Sequence, residues 1–326
     1  MSDNAKFLID CETENGEMKN NAKENSEQEN SIAQNRIIKK RAIILACILL
    51  SLIIPFICLA VNPDGAVFNF LNFTHVIITK PKIFGGFHLA WLFVALGFAL
   101  TAIILRKKLS EKRVETILFA SGVVMLVMEV YKQLYVYYVL SGGHYNFGVL
   151  PLQVCHYSLY CFLIIPLLKE GKIKRALTLF CALYQTVGGF IVLIYPTLYK
   201  ELPLSLLTMS WHLIMIFNGI NLLFKSCYKR AYLKDVFPAC AVFLATFLLA
   251  NLLNLLLSPH IKNSLQPLNL FYISPYIQST YVIIGDVQRI FGWFPSIICY
   301  AILFIFGGAN LVWGIGKIIT KIAKDN

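Results

Sequence analysis

Apolar runs long enough to cross a lipid bilayer recur through most of this chain, and they decide what it can fold into. Crossing ~30 Å of hydrocarbon takes about 20 helical residues. Backbone in lipid must also satisfy its hydrogen bonds within its own segment, which selects helices. Runs of that kind occupy residues 42–61, 87–105, 114–140, 150–168, 176–195, 203–224, 236–257 and 291–316. The expected fold is all-α: a polytopic integral membrane bundle of about eight transmembrane helices, built from residues 36–326. Composition agrees, with 58% of residues hydrophobic and 14% charged, against roughly 25% charged in an average soluble domain.

The charges between the runs supply an independent test. One set of flanks carries Arg36, Lys39, Lys40 and Arg41, then the five cations of "RKKLSEKR". It continues with Lys169, Lys172, Lys174 and Arg175, then Lys225, Lys229, Arg230 and Lys234, and ends on Lys317, Lys321 and Lys324. The alternate set holds only Lys80, Lys82, Lys200, Lys262 and Arg289. Twenty cations against five is the asymmetry that orients membrane helices. It predicts a multi-pass cell-membrane protein with both termini cytoplasmic. The same topology accounts for the net charge of +12 without nucleic acid as a partner, and membrane lipids are the partners it implies.

Residues 1–35 are rich in Asn, Glu, Lys and Ser and poor in aromatics. They cannot bury enough apolar area to fold, which predicts a disordered cytoplasmic tail. A polar stretch of that length is too long for a signal-peptide n-region, so the first run is expected to be retained. Residues 258–290 form the one long outer connection, with three prolines and several aromatics. Interfacial or re-entrant structure is expected there. The nine cysteines include no CxxC pair and fall mostly in apolar runs, where cysteine acts as a small hydrophobe. No disulfide framework, metal site or cofactor is expected.

Chemistry must come from the polar residues at membrane depth. Glu129 and Lys132 are an i, i+3 pair on one helix face, with Gln133 beside them. A charge at the bilayer centre costs about 2.5–3.5 kcal/mol, so the two should pair inside the bundle. In "VLPLQVCHYSLYCF" (149–162) a cysteine precedes a histidine. Pro151 suits the first turn of a helix, which puts Cys155 near an N-terminus that favours thiolate. On an α-helix, Cys155 would share its face with Ser158, whereas Gln153 and His156 would lie on another. His156, about 100° away, would then be poorly placed as a base. His212, in "LTMSWHLIMIFNGIN", lies ~14 Å below the outer end of its run, against ~8 Å for Cys155. It is the expected base, and Glu129, at ~16 Å, is its expected orienting group. Lys132, Gln133, Gln153, His156 and Ser158 are candidate linings of a polar cavity. His75, His144 and His260 read as solvated, Asn251 and Asn254 as helix-to-helix hydrogen bonds, and Asp286 with Arg289 as a structural pair.

The strings "LPLQVC" and "WFPSIICYAILFIF", the glycine-bearing run with Gly188 and Gly189, and the later helix with His212 resemble the YwaF-type integral membrane family. The resemblance covers roughly residues 85–320. That family looks related to eukaryotic TMEM-type proteins that transfer acyl groups onto ether phospholipids with a membrane cysteine and histidine, and more distant relatives hydrolyse lipid esters. Position by position, the resemblance implies the cysteine at Cys155 and the histidine at His212. It departs at Gln153, where many members would carry histidine, and it implies nothing for residues 1–80. The expected function is therefore a Cys/His lipid acyltransferase or lipid (thio)esterase acting on phospholipid acyl chains. The alternatives are a small transporter or flippase with an intramembrane polar path, or a non-catalytic membrane scaffold.

Overall fold

A computed structural model describes residues 3–228, 231–261 and 266–322. Of the loop cations, Lys229, Arg230, Lys262 and Lys324 lie outside the described residues. The chain divides within its first helix into two compact units, 1–49 and 50–326, and the second carries the polar residues at membrane depth. The first helix, α1, runs from Asp3 to Val61, so the backbone is helical in the stretch where composition predicts a tail without structure.

After α1 come α2 (Ala66–Phe73), α3 (Gly86–Leu105), α4 (Glu111–Leu134), α5 (Tyr157–Ile164), α6 (Lys172–Phe180) and α7 (Thr186–Ile194). They are followed by α8 (Leu202–Ser226), α9 (Tyr232–Leu257), α10 (Val282–Phe291), α11 (Trp293–Ile302) and α12 (Ala309–Ile322). Single π-helical turns extend α4 over Tyr135–Leu140, join α6 to α7 over Cys181–Gln185, and join α11 to α12 over Leu303–Gly308. Among the described residues the only β-pairing is one antiparallel bridge, Ile77 with Glu201.

Among the described residues seven helices are long and apolar enough to cross a membrane: Ile32–Val61, Gly86–Leu105, Glu111–Leu140, Lys172–Ile194, Leu202–Ser226, Tyr232–His260 and Trp293–Ile322. They coincide with seven of the eight expected runs. The exception is 150–168. Only Val154–Leu167 is helical there, as a 3-10 turn, the short α5 and a second 3-10 turn. At 1.5–2.0 Å per residue such a piece spans roughly 25 Å. Pro151 does not open the helix; α5 starts only at Tyr157, and the Pro151 carbonyl accepts a hydrogen bond from the Tyr160 hydroxyl (2.8 Å).

Local chemistry explains the ends and the close contacts. Ser110 caps α4 by accepting from the Arg113 N–H, and Pro203 sits in the first turn of α8. Gly122 lets α4 and α5 meet: a Cβ there would lie 2.9 Å from the Leu163 side chain and 3.0 Å from its backbone nitrogen. The most buried helices of the unit are α6–α7 and α8 (67% of each apolar stretch), while α11–α12 lies at the edge (12%). At one end of the bundle Lys174 bonds to both Glu115 and Glu170 (2.6 Å each), and Arg175 bonds to the buried Asp235 (2.7 Å).

Within 258–290, residues 268–274 turn into the protein. Leu268, Leu270, Phe271, Ile273 and Ser274 are all buried, though they form no more than a 3-10 turn. Two side-chain amides hold this backbone. Gln153 donates to the Asn269 carbonyl (2.9 Å) and accepts from the Phe271 N–H (2.7 Å). Asn254 donates to the Leu270 carbonyl (2.9 Å) and accepts from the Leu270 N–H (2.8 Å). Phe271 and Tyr272 are left-handed, with φ of 56° and 59°, a conformation that non-glycine residues adopt only where their surroundings impose it.

Candidate functional site

Cys155 does not sit on an α-helix. Residues Val154–His156 form a 3-10 turn ahead of α5, and three surrounding side chains satisfy its carbonyls. Gln185 donates to the Val154 carbonyl (2.9 Å), Trp211 to the Cys155 carbonyl (3.1 Å), and the Ser158 hydroxyl also to the Cys155 carbonyl (2.5 Å). Irregular backbone survives at membrane depth only when buried in protein and paired in this way. Cys155 as a residue is half-buried, while His156 and His212 are buried.

The expected divergence of Cys155 and His156 is incorrect. The Cys155 sulfur lies 3.9 Å from His156 Nδ1. Helical spacing misplaces the pair because the α-helix begins only at Tyr157. His156 Nε2 faces the Lys132 ammonium at 2.8 Å and a Glu129 carboxylate oxygen at 3.4 Å. An ammonium has no lone pair and can only donate, so the shorter contact makes Nε2 the acceptor. The ring proton of neutral His156 is then on Nδ1, directed at sulfur.

His212 is brought towards the same turn by its neighbour Trp211, whose indole N–H bonds the Cys155 carbonyl. Its Nδ1 lies 2.6 Å from the Thr208 carbonyl, one turn earlier on α8. A carbonyl only accepts, so Nδ1 carries the proton and Nε2 the lone pair. Nε2 is buried and has no hydrogen-bond partner. The orienting group of His212 is thus a backbone carbonyl and not Glu129. Glu129 pairs with Lys132 (2.7 Å) and accepts from Gln133 (2.6 Å). The expected i, i+3 ion pair is made, and the Trp211 ring covers it, 5.9 Å from the Lys132 nitrogen and edge-on to His156.

The candidate cavity linings have other work. Gln133 donates its second amide hydrogen to the Val149 carbonyl (2.8 Å), Gln153 holds the 269–271 loop, and Ser158 caps Cys155. Asn254 bonds to that same loop instead of a neighbouring helix, and Asn251 bonds within its own helix, to Phe247. His144 and His260 are exposed. His75 is not simply solvated, since its Nδ1 meets the Tyr135 hydroxyl at 2.6 Å. Asp286 and Arg289 form the expected exposed pair (2.7 Å).

Thr208, Trp211 and Gln185 have no part in the expectations drawn from sequence. Thr208 could have been found, because the i−4 carbonyl is always within reach of a helical side chain. Gln185 could not, since it reaches Val154 only through the π-turn that precedes α7. Cys155, Cys161, Cys181, Cys227, Cys240 and Cys299 are free thiols, and among the described residues no group of three potential metal ligands converges.

Fold and site together define a class: an all-helical protein with seven helices among the described residues suited to membrane crossing, and a cysteine held against a buried histidine and a buried ion pair. No family model, curated protein or solved structure matches the chain.

Proposed function

We propose that the protein is a cysteine-dependent lipid acyltransferase or lipid (thio)esterase of the cell membrane, acting on phospholipid acyl chains and allied to the YwaF-type family. One observation carries the reading. His212 is fixed with its Nδ1 proton on the Thr208 carbonyl, which leaves its lone-pair nitrogen buried and without a hydrogen-bond partner, next in sequence to Trp211, whose indole bonds the Cys155 carbonyl. Neutral histidine in that tautomer is what a nucleophile's general base requires.

In this reading His212 Nε2 takes the thiol proton as sulfur attacks the ester carbonyl, and the C=O electron pair moves onto oxygen. His156 Nδ1–H donates to the developing thiolate. Collapse of the adduct breaks the ester C–O bond, and the proton on His212 goes to the departing lysolipid alcohol. The thioester on Cys155 is then attacked by an acceptor hydroxyl or water, whose proton passes through His212 back to the thiol. No cofactor takes part.

The cation asymmetry supports cytoplasmic termini, provided that Val154–Leu167 crosses as an eighth, short helix. It would bring Cys155 to the outer half of the bundle. Of the transport alternative's path through Glu129, Lys132, Gln153 and His156, Gln153 is committed to the 269–271 backbone, and the other three bond to one another.

The test uses purified protein in detergent with a phospholipid labelled on its acyl chain. A hydroxylamine-sensitive label should appear on the Cys155 peptide and be absent from Cys155→Ala. Absence from the wild type, or persistence in the variant, would overturn the reading.

A further inference from the structure

How His156 serves Cys155 depends on what stands behind the ring. A carboxylate there accepts the far N–H and leaves a lone pair on the near nitrogen, which makes the ring a base. A cation does the reverse. It donates to the far nitrogen and leaves the proton on the near one.

His156 has both behind the same nitrogen. Its Nε2 lies 2.8 Å from the Lys132 ammonium and 3.4 Å from Glu129 Oε2. Its near nitrogen, Nδ1, is 3.9 Å from the Cys155 sulfur. Lys132 also donates to that Glu129 oxygen (2.7 Å), so one ammonium serves two acceptors that face each other. Glu129 Oε1 is taken by the Gln133 amide (2.6 Å), which leaves Oε2 to Lys132. The Trp211 ring closes the group, 5.9 Å from the Lys132 nitrogen and edge-on to the imidazole at 5.3 Å. All three polar side chains are largely buried, where hydrogen bonds to charged groups are strong.

We propose that Lys132 is a positioning residue for Cys155. By holding His156 Nε2 as an acceptor it fixes the ring proton at Nδ1, facing sulfur, and keeps Glu129 from turning the same ring into a second base. Lys132 acts on the thiol through His156. Its part in acyl transfer rests on the cysteine reading, whereas the position of the proton does not. Without the ammonium, Glu129 Oε2 is the partner left at Nε2, and a carboxylate only accepts. Nε2 must then carry a proton.

Nitrogen NMR of the full-length protein in detergent, labelled on histidine with nitrogen-15, reads this at neutral pH without substrate. A bare ring nitrogen resonates far downfield of a protonated one, and couplings to the ring C–H protons tell Nδ1 from Nε2. The His156 signals are those lost in His156→Gln. In the wild type Nε2 should be bare and Nδ1 protonated. Lys132→Met should shift Nε2 to the protonated position, and Lys132→Arg, which keeps a donating cation, should restore the wild-type pattern. A wild type with Nε2 protonated would overturn the proposal without any variant having to fold. Lys132→Met with Nε2 still bare would overturn it too, by showing that Lys132 only packs there. Acyl label on Cys155 tests the cysteine reading separately, so failure of that reading and failure of this one are told apart.

Discussion

The Nδ1–H of His212 donates to the Thr208 carbonyl at 2.6 Å, and through that bond a helix backbone decides which nitrogen of the ring keeps its lone pair. The other imidazole is decided differently: the Lys132 ammonium occupies His156 Nε2 and leaves Nδ1–H for sulfur. The two rings are thus fixed oppositely by partners of opposite polarity, His212 with its lone pair at Nε2 and His156 with its proton at Nδ1.

That division places a cost on the Glu129–Lys132 pair. With both side chains largely buried, removing one partner strands a charge, at about 3 kcal/mol. Glu129→Gln and Lys132→Met should each destabilise the protein by roughly that amount in equilibrium unfolding by SDS. The double variant should recover part of the loss. Equal stability of the wild type and both single variants would mean that the pair is solvated.

Gln153 and Asn254 are expected to govern the order of the buried 268–274 loop. Gln153→Leu frees the Asn269 carbonyl and the Phe271 N–H at a cost of about 1–3 kcal/mol. Amide exchange across 268–274 should quicken by roughly tenfold or more as a result. Asn254→Leu should act alike. Asn251→Leu, which loses only a bond within α9, should leave the loop unchanged. If all three variants exchange like the wild type, the loop is held by its apolar contacts alone.

Close packing of α4 on α5 gives a sharper contrast. Gly122→Ala puts a methyl group against Leu163 backbone and should cost about 1–3 kcal/mol. Gly97→Ala, with nothing within 4 Å, should be close to neutral. Thermal unfolding in detergent distinguishes the two, and equal melting temperatures would show that α4 and α5 do not meet at Gly122.

The crossing of Val154–Leu167 can be read by labelling. A cysteine introduced as Gly143→Cys should react with an impermeant maleimide from outside intact cells, and Gly171→Cys only after permeabilisation. Reaction of both from one side would mean that the short helix enters and leaves on the same face, and the proposed orientation would fall.

Much of the fold is written in the sequence, because a membrane span is a length of apolar residues and seven such lengths became helices. At 150–168 the helix is shorter than its apolar run, since apolar composition there serves a buried 3-10 turn and loop as well as it serves a helix. Periodicity also misplaced His156 relative to Cys155, because a rule for α-helices was applied before any such turn was complete. The ion pair of Glu129 and Lys132 was legible, being local. Contacts such as Gln153 with 269–271 and Gln185 with Val154 were not: each joins segments 31 or more residues apart, and nothing in either segment announces the other. The Cys155–His212 pairing came from similar depth, a one-dimensional measure that leaves lateral neighbours open.

The proposed chemistry turns on which imidazole takes the proton. Single-turnover acylation of Cys155 by a labelled phospholipid should be compared in wild type, His212→Gln and His156→Gln. Loss of a general base is expected to slow the step by about 10²–10⁴-fold, so His212→Gln should fall in that range. His156→Gln, whose amide can still donate to sulfur, should fall far less. A His156→Gln protein that no longer acylates beside a His212→Gln protein that does would contradict the assignment.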